Sequence, residues 1–216
     1  MYYRTEKKII ILVGYVMKVI DFIIYHIMKV LIITLLKLFY KIEVKNAPKY
    51  ERNKGVLFVG NHSSWFDTLL LSYGVNHRVW FVTGDFILNV PFMRELVQHL
   101  YILPMRKNRG KEGIELAVNK LKEGRPVCIF PEGEITPTGK MLRFRNGVSI
   151  IQKAANVPII PFYIDGAAEI WSIVQPKLKL FKKMSITFGE PYYPKEDNNN
   201  EIARELQEKV VMLKGN

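Results

Sequence analysis

Hydrophobic and polar positions divide the chain near residue 41. From Ile9 to Tyr40, 25 of 32 positions are apolar, interrupted by Gly14, Lys18, Asp21, His26, Lys29, Thr34 and Lys37. The longest uncharged run, Ile9 to Met17, has nine residues, against about 20 for a helix that crosses a bilayer. At 100° per residue, Lys18, Asp21, Tyr25 and Lys29 share a narrow stripe, which predicts an amphipathic helix. Lys37 lies off that stripe, so the pattern predicts a turn or a second helix beginning near Lys29. An interfacial helix of this kind turns its apolar face to acyl chains and its lysines to headgroups. A spanning helix that hides Lys18 and Asp21 as an i, i+3 pair is the alternative. No small-residue cleavage site follows the apolar run, which argues against a signal peptide.

Beyond Lys41 short apolar runs alternate with helical patterns. Val56–Gly60, Val79–Thr83, Ile102–Pro104, Val127–Phe130, Ile159–Ile164 and Ser185–Phe188 read as buried strands. Helical patterns fall at Phe66–Tyr73, Phe92–His99, Lys111–Lys122, Gly147–Ala155 and Glu201–Leu213, the last with Asn200 as N-cap. The expected fold is α/β, a mostly parallel sheet flanked by helices, with an N-terminal amphipathic membrane-docking arm. The expected division is an arm over 1–45 and one domain over 46–216.

Composition narrows the partners. The 216 residues carry 32 Lys+Arg against 20 Asp+Glu, a net charge of +12, which favours a polyanionic partner. The basic residues are scattered and no recognition motif appears, so the expected polyanion is an anionic membrane surface and no nucleic acid is expected. The single cysteine, Cys128, excludes a disulfide framework within the chain and any multi-cysteine metal site. Inside an apolar strand, it reads as core. No metal site is expected, since His77 shows no ligand spacing with His62, and His26 and His99 read as incidental.

The sharpest chemical feature is Asn61-His62-Ser63-Ser64-Trp65-Phe66-Asp67. A strand ends at Gly60, and Ser63 or Ser64 suits the N-cap of the following helix. Five positions apart on one helix, His62 and Asp67 would diverge by about 140°. With His62 in the preceding turn, the Asp67 carboxylate instead folds back to accept from Nδ1–H, leaving Nε2 to take a proton from a hydroxyl. Asp67→Asn is then expected to cost orders of magnitude in rate through loss of the oriented tautomer. A second constellation, Phe130-Pro131-Glu132-Gly133-Glu134-Ile135-Thr136, follows another apolar strand, at the sheet edge where ligands bind in such folds. A third, Leu103-Pro104-Met105-Arg106, ends a strand on an arginine able to clamp phosphate bidentately.

In this order and spacing, the segments resemble the glycerolipid acyltransferase family of the lysophosphatidate and lysophospholipid type. The resemblance covers roughly residues 50–190. It rests on Asn61-His62 with Asp67 (His-x4-Asp), Leu103–Arg106, Phe130-Pro131-Glu132-Gly133 and Val157-Pro158-Ile159-Ile160-Pro161. It implies transfer of a fatty acyl group from acyl-ACP or acyl-CoA to the free hydroxyl of a lysophospholipid, first of all 1-acylglycerol-3-phosphate, giving phosphatidic acid. His62 would be the general base and Asp67 its orienting carboxylate. Arg106, Glu132 and Gly133 would position the phosphorylated headgroup. Backbone N–H groups near Gly133 would assist the acceptor or the oxyanion, and no cofactor is needed beyond the thioester co-substrate.

One departure stands out. The lysophosphatidate enzymes usually continue Thr-Arg-Ser after this Phe-Pro-Glu-Gly, whereas here Glu134-Ile135-Thr136 follows. Lys140, Arg143 or Arg145 would have to replace the missing charge. The extended form resembles enzymes that reacylate lysophosphatidylethanolamine, which makes 2-acylglycerophosphoethanolamine the alternative acceptor. A membrane lipid-binding module without chemistry is the alternative of another class. The resemblance, the lone cysteine and the missing cleavage site together place the expected enzyme on the cytoplasmic face of a membrane, the inner membrane if bacterial.

Overall fold

A computed structural model describes residues 2–51, 53–75, 77–89, 101–105, 110–171, 174 and 177–215. Its centre is a seven-stranded sheet: β1 (Lys41–Lys45), β2 (Leu57–Gly60), β3 (Trp80–Gly84), β4 (Ile102–Met105), β5 (Val127–Ile129), β6 (Ile159–Asp165) and β7 (Lys183–Phe188). The spatial order is β1-β7-β6-β2-β5-β3-β4. Every pairing is parallel except that of β6 with β7, which is antiparallel. The α/β expectation therefore holds. The strand expected over 185–188 starts two residues earlier, and β1 and the short α5 below went unforeseen.

The helices are α1 (Tyr2–Phe39), α2 (Phe66–Gly74), α3 (Gly110–Lys122), α4 (Gly147–Ala155), α5 (Ala167–Ile170) and α6 (Asn199–Met212). The pattern expected over 92–99 lies outside the described residues. Because strand side chains alternate faces, the sheet feeds two separate cores. Val56, Phe58, Cys128, Phe130, Ile160 and Phe162 pack with α2 and the end of α1 on one face. Leu57, Val59, Val127, Ile129 and Ile159 pack with α3, α4 and α6 on the other. Strands apolar on both faces fit this double cover.

Two helix starts differ from expectation. Helix α2 begins at Phe66 with Trp65 at the cap position, one residue after the expected serines, and the Ser64 hydroxyl accepts from Phe66 N–H at 3.3 Å. For α6 the cap is Asn198, not Asn200; its side chain accepts from the N–H groups of Asn200 and Glu201. Asn198 is the residue that is still extended, so only its side chain can reach back over the first turn.

The arm brings the main correction. No turn interrupts it near Lys29: α1 runs unbroken to Phe39. Lys29 and Lys37 are offset by about 80° around the helix, yet both reach α2. Lys29 Nζ donates to the Val75 carbonyl at 3.4 Å, and Lys37 Nζ lies 5.9 Å from the Tyr73 ring. Flexible lysine stems let both serve one docking face. That face, with Tyr25, Ile32 and Leu36, turns toward the domain. Arg78 stacks on Phe22 and Tyr25 and donates to the Tyr101 hydroxyl at 2.5 Å. The described stripe polarity is thus spent on the protein, and Ile23, Ile27, Val30, Leu31, Leu35 and Leu38 are left exposed. By length and composition the stretch Phe22–Phe39 can cross a membrane. Residues 41–45, expected with the arm, form β1 and pair with β7.

Candidate active site

The chain leaves β2 through α2 on one face of the sheet and leaves β5 through α4 on the other, so the connections after these adjacent strands part to opposite faces. In open α/β sheets the crevice at such a divergence, beyond the strand C-termini, is where ligands bind. His62 follows β2 and Glu132 follows β5, so the topology places both at that crevice.

Local contacts fix the turn after β2. A Cβ at Gly60 would stand 2.3 Å from the Phe162 ring, so only glycine lets β2 pass there. Asn61 then extends the sheet with its side chain: Nδ2 donates to the Ile164 carbonyl at 2.9 Å and Oδ1 accepts from Ile164 N–H at 2.7 Å. The next residue, His62, lies outside the helix. Its Nδ1 is 2.9 Å from Asp67 Oδ2.

Asp67 is fully buried, but its charge is well met. Oδ2 also accepts from the backbone N–H of Ser63 at 2.6 Å and of Ser64 at 2.9 Å. The carboxylate sits in the first turn of α2, where the helix macrodipole favours an anion. An acceptor aimed at Nδ1 places the proton there and leaves Nε2 as the free base. The imidazole lies flat on Phe130, with centroids 4.1 Å apart and planes at 11°, and its side chain is 18% exposed. The imidazole is therefore held on one face by Phe130 and at Nδ1 by Asp67, and remains partly exposed.

Glu132 faces the protein. It is buried, and both carboxylate oxygens accept backbone N–H groups at 2.6 Å, Oε1 from His62 and Oε2 from Leu142. Glu132, expected at the headgroup, ties the β2 and β5 turns together through these contacts. Thr136 N–H reinforces the tie by donating to the His62 carbonyl at 3.0 Å. Gln207, on α6, grips the same loop from outside, accepting from Phe144 N–H and donating to the Leu142 carbonyl. Burial pushes the Glu132 carboxyl above its ordinary range, opposed by the Leu142 and His62 N–H groups. The folded state thus holds the Glu132 proton more tightly than the unfolded chain. Its contribution to stability is full at acid pH and declines as pH rises through the carboxylate range.

This tie makes a prediction. Glu132→Gln keeps the shape but turns an amide N–H₂ toward one of two backbone donors. Leaving that buried N–H unsatisfied should cost about 1–3 kcal/mol, seen as a lower midpoint in denaturant. Because the released N–H belongs to His62 or its partner loop, kcat should fall more than KM rises. Unchanged stability and kcat would refute the tie.

The remaining expected residues are dispersed. Gly133 makes the turn after Glu132 with φ +78°, and its N–H donates to the Phe130 carbonyl at 3.1 Å, so that group is committed within the turn. A Cβ at Gly133 would lie 2.9 Å from the Arg145 guanidinium carbon, which shows that Arg145 covers this turn. Arg145 is exposed and 4.0 Å from Glu134. Lys140 is exposed, with its carbonyl accepting from the Thr136 hydroxyl at 2.7 Å. Arg143 lines a surface hollow with Phe144, Arg204 and Gln207. Arg106 lies outside the described residues. Cys128 is buried in β5, and burial, with the nearby Asp67 charge, pushes its thiol well above the ordinary range, so it is no nucleophile. Among the described residues no three His, Cys, Asp or Glu side chains gather to hold a metal. Asn61 and Phe130 stand in the two sequence motifs without a role of their own, and Gln207 stands in neither. Asn61 stood beside His62 as a signal, whereas nothing in the pattern pointed to Gln207.

A family model described as Acyltransferase matches residues 41–165, beginning at β1 and ending with β6. The 1-acyl-sn-glycerol-3-phosphate acyltransferase of Bacillus subtilis is 24% identical over 156 residues, covering 70% of this chain and 74% of that protein. A chloroplastic enzyme of the same name from Brassica napus is 25% identical over 139 residues, and the match spans 61% of this chain but only 39% of that longer protein. Among solved structures, the 1-acyl-sn-glycerophosphate acyltransferase PlsC from Thermotoga maritima superposes with a TM-score of 0.67. It shares 22% identity, with 85% of this chain and 76% of that one covered, and the likeness is one of fold.

Proposed function

The chain belongs to the acyltransferase family, and from that premise we propose that it transfers a fatty acyl group from acyl-ACP or acyl-CoA to the free hydroxyl of a membrane lysophospholipid. The observation that carries this reading is the His62–Asp67 pair, 2.9 Å apart, with the carboxylate buried and the imidazole partly exposed beyond the strand ends. His62 Nε2 takes the proton as the acceptor hydroxyl attacks the thioester carbonyl. The tetrahedral intermediate collapses, the C–S bond breaks, and the imidazolium returns the proton to the departing thiolate. Asp67 balances the imidazolium throughout. Direct attack needs no acyl-enzyme, in keeping with a buried Cys128.

The first acceptor is 1-acylglycerol-3-phosphate, giving phosphatidic acid. Several relatives at low identity bear the corresponding name, and Arg145, over the Gly133 turn, supplies a cation where the family's usual arginine is missing. Arg106 and Lys140 are further candidates for the headgroup, and Glu132 with Gly133 shapes the turn beneath it. The departure at Glu134-Ile135-Thr136 favours a second reading, 2-acylglycerophosphoethanolamine. The exposed apolar side of α1 supports a membrane-associated protein, and thioester donors made in the cytoplasm support the cytoplasmic face.

A panel assay with purified protein decides among these, pairing lysophosphatidate and lysophosphatidylethanolamine with each thioester donor. Lysophosphatidate should be preferred, and Arg145→Gln should raise KM for it by about tenfold, the loss of one charge-assisted contact. Preference for the ethanolamine lipid would reverse the order of acceptors. No transfer with any pair would overturn the reading.

A further inference from the structure

Between α5 and β7 the chain passes Lys177-Leu178-Lys179-Leu180-Phe181-Lys182-Lys183, with four lysines and no acid. Its apolar side chains point away from both cores. Phe181 is 77% exposed, and Leu178 and Leu180 are exposed beside it. A loop left to solvent does not ordinarily present three large apolar residues in four positions.

The backbone holds this display in place. Phe181 has φ +59°, a conformation uncommon outside glycine and asparagine. Its N–H donates to the Phe39 carbonyl at 2.8 Å, and its ring meets the Phe39 ring edge to face at 6.1 Å. Lys41 N–H donates to the Lys182 carbonyl at 3.2 Å. The segment is thus pinned to the C-terminal end of α1, where Leu35 and Leu38 are exposed, so the two apolar surfaces sit at the same end of that helix. The register fixes which edge they occupy. Asp165, at the end of β6, pairs with Ser185 near the start of β7, and Lys41 pairs with Lys183. Gly60, two residues before His62, pairs with Phe162 on β6. The segment and the end of α1 therefore lie at the same edge of the sheet as the imidazole.

We propose that Lys177–Lys183, with Leu35 and Leu38, is a second membrane-docking surface that inserts Leu178, Leu180 and Phe181 into an anionic leaflet while its lysines meet lipid phosphates. Alternating lysine and apolar residues match the boundary between headgroups and acyl chains, where each side chain finds its own solvent. The surface brings the His62 edge to the leaflet that would hold a lysophospholipid, a consequence that rests on the proposed acyl transfer. The docking itself does not.

The test uses the full chain with Cys128→Ala and a single new cysteine carrying an environment-sensitive fluorophore, either Leu180→Cys or, as a control at the opposite edge, Lys122→Cys. Vesicles of phosphatidylcholine with phosphatidylglycerol should shift the emission at position 180 to the blue and leave that at 122 unchanged. Lys177→Gln/Lys179→Gln/Lys182→Gln should raise the vesicle concentration needed for half of that shift by at least about tenfold, each lysine near an anionic leaflet being worth roughly fivefold. A water-like probe at 180 in vesicle-bound protein, or no binding to the vesicles, would overturn the proposal. A buried probe in a protein that transfers no acyl group would leave the docking surface standing and remove the enzymatic reading alone.

Discussion

Replacing His62 by alanine is expected to abolish the proposed acyl transfer, lowering kcat by about 10⁴-fold, the upper range for removal of a general base, while the protein stays folded. The second half of that expectation comes from the division of labour within the residue. The fold uses the His62 backbone, whose N–H is held by Glu132 and whose carbonyl is held by Thr136, and alanine keeps both. The proposed chemistry uses the ring. Truncation removes the face stacked on Phe130 and one of the donors to Asp67. Asp67 keeps the N–H groups of Ser63 and Ser64, so the loss should be about 1–3 kcal/mol. For a chain of this size that corresponds to a fall in melting temperature of roughly 2–4 °C per kcal/mol. Circular dichroism and thermal melting establish folding, and transfer of labelled acyl chain reads the rate. A folded variant with near-normal turnover would remove His62 from the mechanism.

What the sequence made legible, and what it did not, follows from the range of the forces involved. Strands such as Val56–Gly60 and Ile159–Ile164 are apolar on both faces, so their burial is written into a few consecutive positions. His62 and Asp67 were readable together because the contact between them is local, five residues closed by one turn. Glu132 is singled out in the sequence without its backbone partners. Its bonds to His62 and Leu142 depend on β2 and β5 lying side by side, a neighbourhood absent from either segment alone. Gln207 is more extreme, since it reaches Leu142 and Phe144 across more than sixty positions. The arm failed for another reason. Helical periodicity reports which residues share a stripe and is silent on what the stripe faces. Lys29 is expected on the headgroup side, yet the fold turns it onto α2, and Tyr25 of the same stripe meets Arg78 and Tyr101, just ahead of β3 and β4. The apolar remainder, not the polar stripe, is what α1 offers to its surroundings.

Asp67→Asn separates two roles that the sequence alone could not divide. The simple expectation is a wrong tautomer, with the amide N–H₂ facing Nδ1 and forcing the ring proton onto Nε2. The surroundings of Asp67 forbid that flip. Two fixed backbone donors, Ser63 and Ser64, point at the Oδ2 position, which also faces Nδ1. An amide N–H₂ there would meet two N–H groups at hydrogen-bonding distance. The asparagine must therefore place its oxygen at that corner, leaving its N–H₂ beside the Ser63 hydroxyl, which lies 3.5 Å from Oδ1 and can accept. The Nδ1–H tautomer survives. What disappears is the negative charge that balances the imidazolium as the hydroxyl proton arrives, in a pocket with little water to replace it. The expected outcome is a kcat lower by about 10²-fold or more, with KM for the lysolipid nearly unchanged because the ring has not moved. Nitrogen-15 NMR of the imidazole distinguishes the accounts: the variant keeps its proton on Nδ1. A proton found on Nε2 would show that the two serine N–H groups do not dictate the amide's orientation, and a wild-type rate would show that Asp67 supports the fold and not the reaction.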